Sequence, residues 1–138
     1  MRNGLIVDKN GTKIWYQNDR RHRTDGPAVE WHNGDKHWYF KGRLHRTNGP
    51  AAEYASGGKE WHQHGQRHRT DGPAVEFAAG DRYWYQNDLL HRTTGPAIEY
   101  ANGNRRWFLK NEPLFFNDWL EEVAFNEVQK TMLRLQYA

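Results

Sequence analysis

The chain has 138 residues, 20 Lys and Arg against 17 Asp and Glu, a net charge of +3 and no cysteine. That length suits a single domain. The missing cysteine excludes a disulfide framework and thiolate metal sites and fits a reducing cytosol, while interleaved charges permit an anionic partner without marking a large nucleic-acid footprint.

Hydrophobic residues make up 36% of the chain, yet aromatics reach 14% with seven tryptophans, so composition predicts a thin, aromatic core. The first segment, "MRNGLIVDKNG", has an apolar run from Leu5 to Val7 only. That is too short for a signal peptide or a membrane span, and the reading is a soluble cytoplasmic protein without membrane attachment.

From residue 22 onward one phrase returns: "HRTDGPAVE" at His22, "HRTNGPAAE" at His45, "HRTDGPAVE" at His68 and "HRTTGPAIE" at His91, always 23 residues apart. Trp15, Trp38, Trp61, Trp84 and Trp107 keep this period, as do Gly11, Gly34, Gly57, Gly80 and Gly103. A fixed period of this length marks stacked units. It predicts an array over residues 1–114, followed by a helical segment over 115–138 in the same domain.

Turn chemistry sets the expected strands. "NG" at Asn33-Gly34 and Asn102-Gly103 reads as a two-residue type I′ hairpin. A second pair, as at Lys41-Gly42 and Asn87-Asp88, also suits a left-handed backbone, and "TDGP" supplies a third reversal. Strands joined this way form an antiparallel meander. With two-residue turns, Val29 lies opposite Trp38, and one face becomes an aromatic strip that includes Trp31, Phe40, Trp61 and Trp84. The other face carries Glu30, Glu53, Glu76 and Glu99 beside Arg23, Arg46, Arg69 and Arg92, with Tyr16, Tyr39, Tyr85 and Phe108 exposed after each Trp. Trp61→Ala is expected to cost about 3–5 kcal/mol, and Arg69→Ala to be nearly silent in stability if the ladder is exposed.

After Pro113 the period becomes helical. Asp118 and Glu121 read as a capping box, and Leu120, Val123, Ala124, Val128, Thr131 and Leu135 share one face of a single helix of about five turns. Such a helix spans roughly 29 Å and would cover about half of a flat sheet roughly 48 Å across.

These units resemble the MORN repeat, a 23-residue β-hairpin module. The "HRxDGPA" wording with "NG", a Trp strand and a closing "WLEE" is similar to repeat proteins of bacteriophages and large DNA viruses. The resemblance covers about four fifths of the chain. It implies a mainly β fold, an elongated antiparallel meander with one C-terminal helix, and a viral accessory role by occupying a host macromolecule, such as a bacterial defence factor. The constant His-Arg pair departs from the ordinary MORN pattern, so the lipid binding proposed for that family is not carried over.

The candidate binding residues are His22, Arg23, His45, Arg46, His68, Arg69, His91 and Arg92, a row of cations able to meet a partner or an anion, with Tyr39 and Tyr85 as stacking platforms. The plainer reading of the same residues packs each His beside a Trp and pairs each Arg with a Glu of the ladder. His62 and His64 have the spacing of two ligands on one side of a strand, but only Glu60 lies nearby as a third, so no metal is expected. No P-loop, nucleophile elbow or isolated carboxylate pair occurs, and neither catalysis nor a cofactor is expected. The expected partner is a host protein, with a nucleotide ligand or, less favoured, nucleic acid as alternatives, and with a homodimer through the aromatic face or the C-terminal helix.

Overall fold

The computed structural model describes all 138 residues. Five hairpins build one antiparallel sheet: Gly4–Val7 with Lys13–Gln17, Val29–Glu30 with Lys36–His37, Ala52–Glu53 with Lys59–Glu60, Val75–Glu76 with Arg82–Tyr83, and Ile98–Glu99 with Arg105–Leu109. Each hairpin pairs with the next, so the sheet is a meander that grows one unit at a time. Beside it runs a second row of small hairpins: Tyr39–Phe40 with Arg43–Leu44, His62–Gln63 with Gln66–Arg67, and Tyr85–Gln86 with Leu89–Leu90.

The strands are shorter than expected because each periodic Trp is a switch point. Trp38 N–H donates to the Ala51 carbonyl of the next unit at 2.7 Å, while its own carbonyl accepts from His45 N–H at 3.1 Å within its own hairpin. Trp15, Trp61 and Trp84 repeat both bonds. The residues before each Trp therefore belong to the main sheet, and the residues after it belong to the side hairpin. The "HRTxGP" phrase is the excursion that carries the returning chain from the side hairpin back to the sheet.

The positive-φ signals fall differently from the expectation. Asn33 is not left-handed; Gly34 is, at φ 98°. Trp31 N–H bonds the Asp35 carbonyl and Gly34 N–H bonds the Trp31 carbonyl. This is a three-residue loop closed by a left-handed glycine, not a type I′ turn. The second pair is the type I′ turn instead: Lys41 and Gly42 have φ of 50° and 82°, and Asn87 and Asp88 have 48° and 67°. The extra loop residue moves the register by one, so Val29 faces His37 and not Trp38. A one-residue slip exchanges faces.

The true faces are orderly. One row across the sheet alternates in charge, Lys13, Glu30, Lys36, Glu53, Lys59, Glu76, Arg82, Glu99, Arg105, each opposite the next. Opposite charges facing each other stabilise a pair of strands and discourage slippage. The adjacent row holds Val29, Ala52, Val75 and Ile98, all buried, with Ala28, Ala51, Ala74 and Ala97 buried beside them. Tyr85 and Phe108 are buried against this row and Tyr39 is half-buried, so the residues after each Trp are core and not the exposed aromatics expected.

The C-terminal segment is two helices, α1 (Phe116–Val123) and α2 (Glu127–Tyr137), in place of the single helix expected. Asp118 does not cap α1, whose boundary residue Phe115 makes no side-chain cap bond. The effective cap is Asn126, whose side chain accepts from Gln129 N–H at 2.9 Å, while Gln129 accepts from Phe125 N–H at 2.6 Å. This break rotates α2, so Leu133 and Tyr137 pack towards the array while Val128, Thr131 and Leu135 face outwards. Trp119 and Leu120, on the inner face of α1, are fully buried. The helices cover the last unit rather than half the sheet: Trp107 meets Phe116 at 4.8 Å, Trp119 at 4.5 Å and Tyr137 at 5.3 Å between ring centres.

Candidate functional site

In each of the first four units the arginine of the repeated phrase lies flat on the periodic tryptophan: Arg23 on Trp15, Arg46 on Trp38, Arg69 on Trp61 and Arg92 on Trp84, all 3.8–3.9 Å from the ring centre. Its Nη1 donates across its own loop to the carbonyl of Pro27, Pro50, Pro73 or Pro96 at 3.0–3.1 Å. A glutamate takes a further contact in three units, Arg46 to Glu53 at 3.2 Å, Arg69 to Glu76 at 3.5 Å and Arg92 to Glu99 at 3.2 Å. Arg23 instead pairs with Asp25 at 2.9 Å, as Arg69 does with Asp71. These hydrogen bonds hold the carboxyls of Asp25 and Asp71 below the usual range. The glycine of "GP" leaves room for the guanidinium: a Cβ at Gly72 would sit 2.8 Å from Arg69 Cζ.

The histidine before each arginine joins neighbouring units. His22 Nδ1 accepts from Lys41 N–H at 2.9 Å, His45 from His64 at 3.0 Å, His68 from Asn87 at 3.2 Å and His91 from Lys110 at 3.0 Å. Each acceptor meets the first residue of the next type I′ turn, whose N–H faces away from its own hairpin. An accepting Nδ1 requires the neutral ring with its proton on Nε2. His45 is held below its ordinary pKa by burial and then by neighbouring His64, and His91 by burial and then by Lys110. The rings that His22 and His45 meet are Phe40, at 4.7 and 6.0 Å between centres, and His64, 4.5 Å from His45.

Between successive phrases the loops enclose a row of polar clefts. The cleft between the first and second loops has a volume of about 740 Å3, that between the second and third about 700 Å3, and that between the third and fourth about 450 Å3. Each is lined by arginine and threonine from both of its bounding loops and by a periodic tryptophan. Thr24, Thr47, Thr70 and Thr93 are exposed there. The structure thus brings together the predicted His-Arg residues at one edge, and excludes Tyr39 and Tyr85 from it. Arg21 lies over Tyr39 at 5.4 Å and Arg67 over Tyr85 at 4.1 Å.

Internal contacts do not use every donor. The Nη2 group of Arg23, Arg46, Arg69 and Arg92 has no protein acceptor, and neither has Nε2 of the four histidines; none of these atoms is sealed from solvent. Every unit therefore offers the same guanidinium and imidazole N–H groups, already positioned by the scaffold. At roughly 4.8 Å per strand and two strands per unit, the spacing between equivalent donors is about 10 Å.

A second convergence of titratable groups joins His62 and Glu60, which the sequence weighed as metal ligands, to Tyr54, which it did not connect with them. Glu60 accepts from Tyr54 Oη at 3.2 Å and pairs with buried His62 Nε2 at 3.3 Å. Burial, followed by the adjacent Glu60 carboxylate, pushes the Tyr54 hydroxyl up to about 12, while the hydrogen bond from His62 lowers Glu60. His64, the other half of the candidate ligand pair, stands apart on the next turn against His45. His62 is buried and Tyr54 and Glu60 are half-buried in this network. Its sequence signal was the departure from the repeat at Glu60 and His62.

A further concavity of about 970 Å3 lies where the repeat ends, between the fourth loop, the last hairpin and α2; Leu109, Leu114, Phe125 and Met132 give it an apolar lining. No helix is long and apolar enough to cross a membrane. No model of a known protein family matches the chain, and no curated protein matches it.

Proposed function

We propose that this is a non-enzymatic binding protein that engages a macromolecular partner along its row of "HRTxGP" clefts. The observation that carries the reading is the repetition of unused donors: in four units the scaffold satisfies Arg Nη1 and His Nδ1 while leaving Arg Nη2 and His Nε2 free at the same edge. A partner presenting carboxylate, carbonyl or phosphate acceptors about every 10 Å would meet donors whose ordering entropy the scaffold has already met. Asp25 and Asp71 at the rims, 83% exposed, disfavour a densely anionic polymer, and a net charge of +3 points the same way. A protein partner fits best.

The finer reading rests on the resemblance of the repeats to MORN-like units of phage and viral proteins. In it the protein is a phage accessory factor in the host cytoplasm that inhibits a host protein, one belonging to a bacterial defence system, by occupying it. A second reading, capture of a nucleotide signal, draws on the same donors beside tryptophan rings.

The test is affinity capture from bacterial lysate with the wild-type chain and with Thr47→Glu/Thr70→Glu, which places carboxylates in all three clefts at exposed positions. Stoichiometric capture of one protein, lost in the double variant at unchanged melting temperature, supports the proposal. Capture that survives the double variant removes the clefts as the site. Co-elution of a nucleotide alone moves the second reading ahead.

A further inference from the structure

We infer that α2 is the seam of a symmetric antiparallel dimer, with a second copy of this chain as its occupant. A surface helix ordinarily turns one apolar stripe to the core and a polar face to water. Helix α2 is apolar on two opposite sides. Leu133 and Tyr137 pack onto the array, while Val128, Met132 and Leu135 on the far side are 69%, 64% and 82% exposed. Phe125, one residue before the cap, is 90% exposed.

The spacing of these four residues selects the partner. Within α2, Val128, Met132 and Leu135 are separated by four and three positions, the alternation of a short two-stranded seam, and Phe125 stands in the connection just before the helix. In an antiparallel pairing, Phe125 meets Leu135 of the other copy and Val128 meets its Met132, so every apolar residue is matched by one from the same stripe. The positions immediately beside the seam, Gln129, Thr131 and Gln136, are uncharged, so self-pairing brings no like charges together. The same two-fold arrangement sets Arg134 opposite the first turn of the partner helix, which carries Glu127. Arg134 makes no ion pair within its own chain, whereas Glu127 is held only by Lys130 at 3.3 Å. With large apolar side chains presenting about 150–200 Å2 each, these exposures leave roughly 500 Å2 per copy uncovered, much of the approximately 800 Å2 that each partner contributes to a standard interface. The adjoining 970 Å3 groove, lined by Phe125 and Met132, receives the rest of the contact.

The helical seam does not rest on the cleft reading, because α2 carries none of the cleft residues; only the adjoining groove shares His91, Thr93 and Thr94 with the third cleft. Sedimentation equilibrium of the full chain across the micromolar range should return twice 16.4 kDa. Met132→Glu/Leu135→Glu alters side chains that are 64% and 82% exposed and should give a folded monomer by circular dichroism. Arg134→Glu should weaken the dimer, and adding Glu127→Arg should restore it. Because the chain has no cysteine, an oxidised mixture of Phe125→Cys and Leu135→Cys chains should cross-link between the two variants. A wild-type monomer at every concentration, a dimer that survives Met132→Glu/Leu135→Glu, or cross-linking mainly of Leu135→Cys to itself would each overturn the proposal. So would a monomeric chain whose α2 face is occupied by a captured protein.

Discussion

Arg69 shows how much one side chain carries in this fold. It stacks on Trp61, donates to the Pro73 carbonyl and contacts Asp71 and Glu76. Arg69→Ala should therefore destabilise by about 2–3 kcal/mol, from a charged hydrogen bond and a stacked ring, replacing the near-silence expected of an exposed ladder. Trp61→Ala loses the other half of that stack from a half-buried position, and about 3 kcal/mol is expected by urea titration. Gly72→Ala tests the same site from below: the new Cβ must displace a guanidinium pinned on two sides, at about 1–3 kcal/mol. Gly95→Ala should cost more, since its Cβ would also meet Tyr137 Oη at 2.6 Å and lift α2. The recurrence of Arg, Gly, Pro and Trp was visible in the chain. Their convergence on one stack was not, because the tryptophan lies eight residues before the arginine, across a switch between hairpins.

At the scale of the element, stability should depend on acid through the histidine bonds between units. His45 and His91 have folded pKa values below their ordinary value, so the unfolded chain binds these protons first as pH falls. Their contribution is complete above about pH 6.5 and declines as pH drops from there through the folded values. Glu60, lowered by the hydrogen bond from His62, should add a separate loss below about pH 4.3. Denaturant titrations at a series of pH values check both steps, and His45→Gln/His91→Gln should flatten the first. The elements themselves were only partly legible. Both turn types use glycine at positive φ, so Asn33-Gly34 could not declare whether its loop had two residues or three, and that single residue decided which face Val29 joined. The α2 boundary was more legible than the reading allowed. Asn126 and Gln129 stand at capping spacing, but the apolar pattern runs through them as it would in one continuous helix.

Across the whole molecule, the meander behaves as a row of units bound to their neighbours, for which stability is a sum of unit and interface contributions. The closing helices replace a fifth phrase: Trp107 has no arginine to cover it, and Trp119 and Phe116 take that place. Trp119 also donates to the Arg92 carbonyl at 3.0 Å. Trp119→Ala should cost about 3–5 kcal/mol and, by hydrogen exchange, raise exchange first in residues 91–114 while the earlier units stay protected. The repeat period announced this architecture from sequence. What it could not announce was the stitching between units, since the bonds from His22 to Lys41 and its equivalents join residues 19 apart whose types vary.

The most direct measurement is a long-range 15N–1H spectrum of the histidine side chains at mildly alkaline pH, combined with exchange of the backbone amides of Lys41, His64, Asn87 and Lys110. Four imidazoles in the Nε2–H form, with those four amides protected, is the predicted result. Histidines averaging between tautomers beside freely exchanging amides would contradict the conclusion that the repeated phrase stitches each unit to the next.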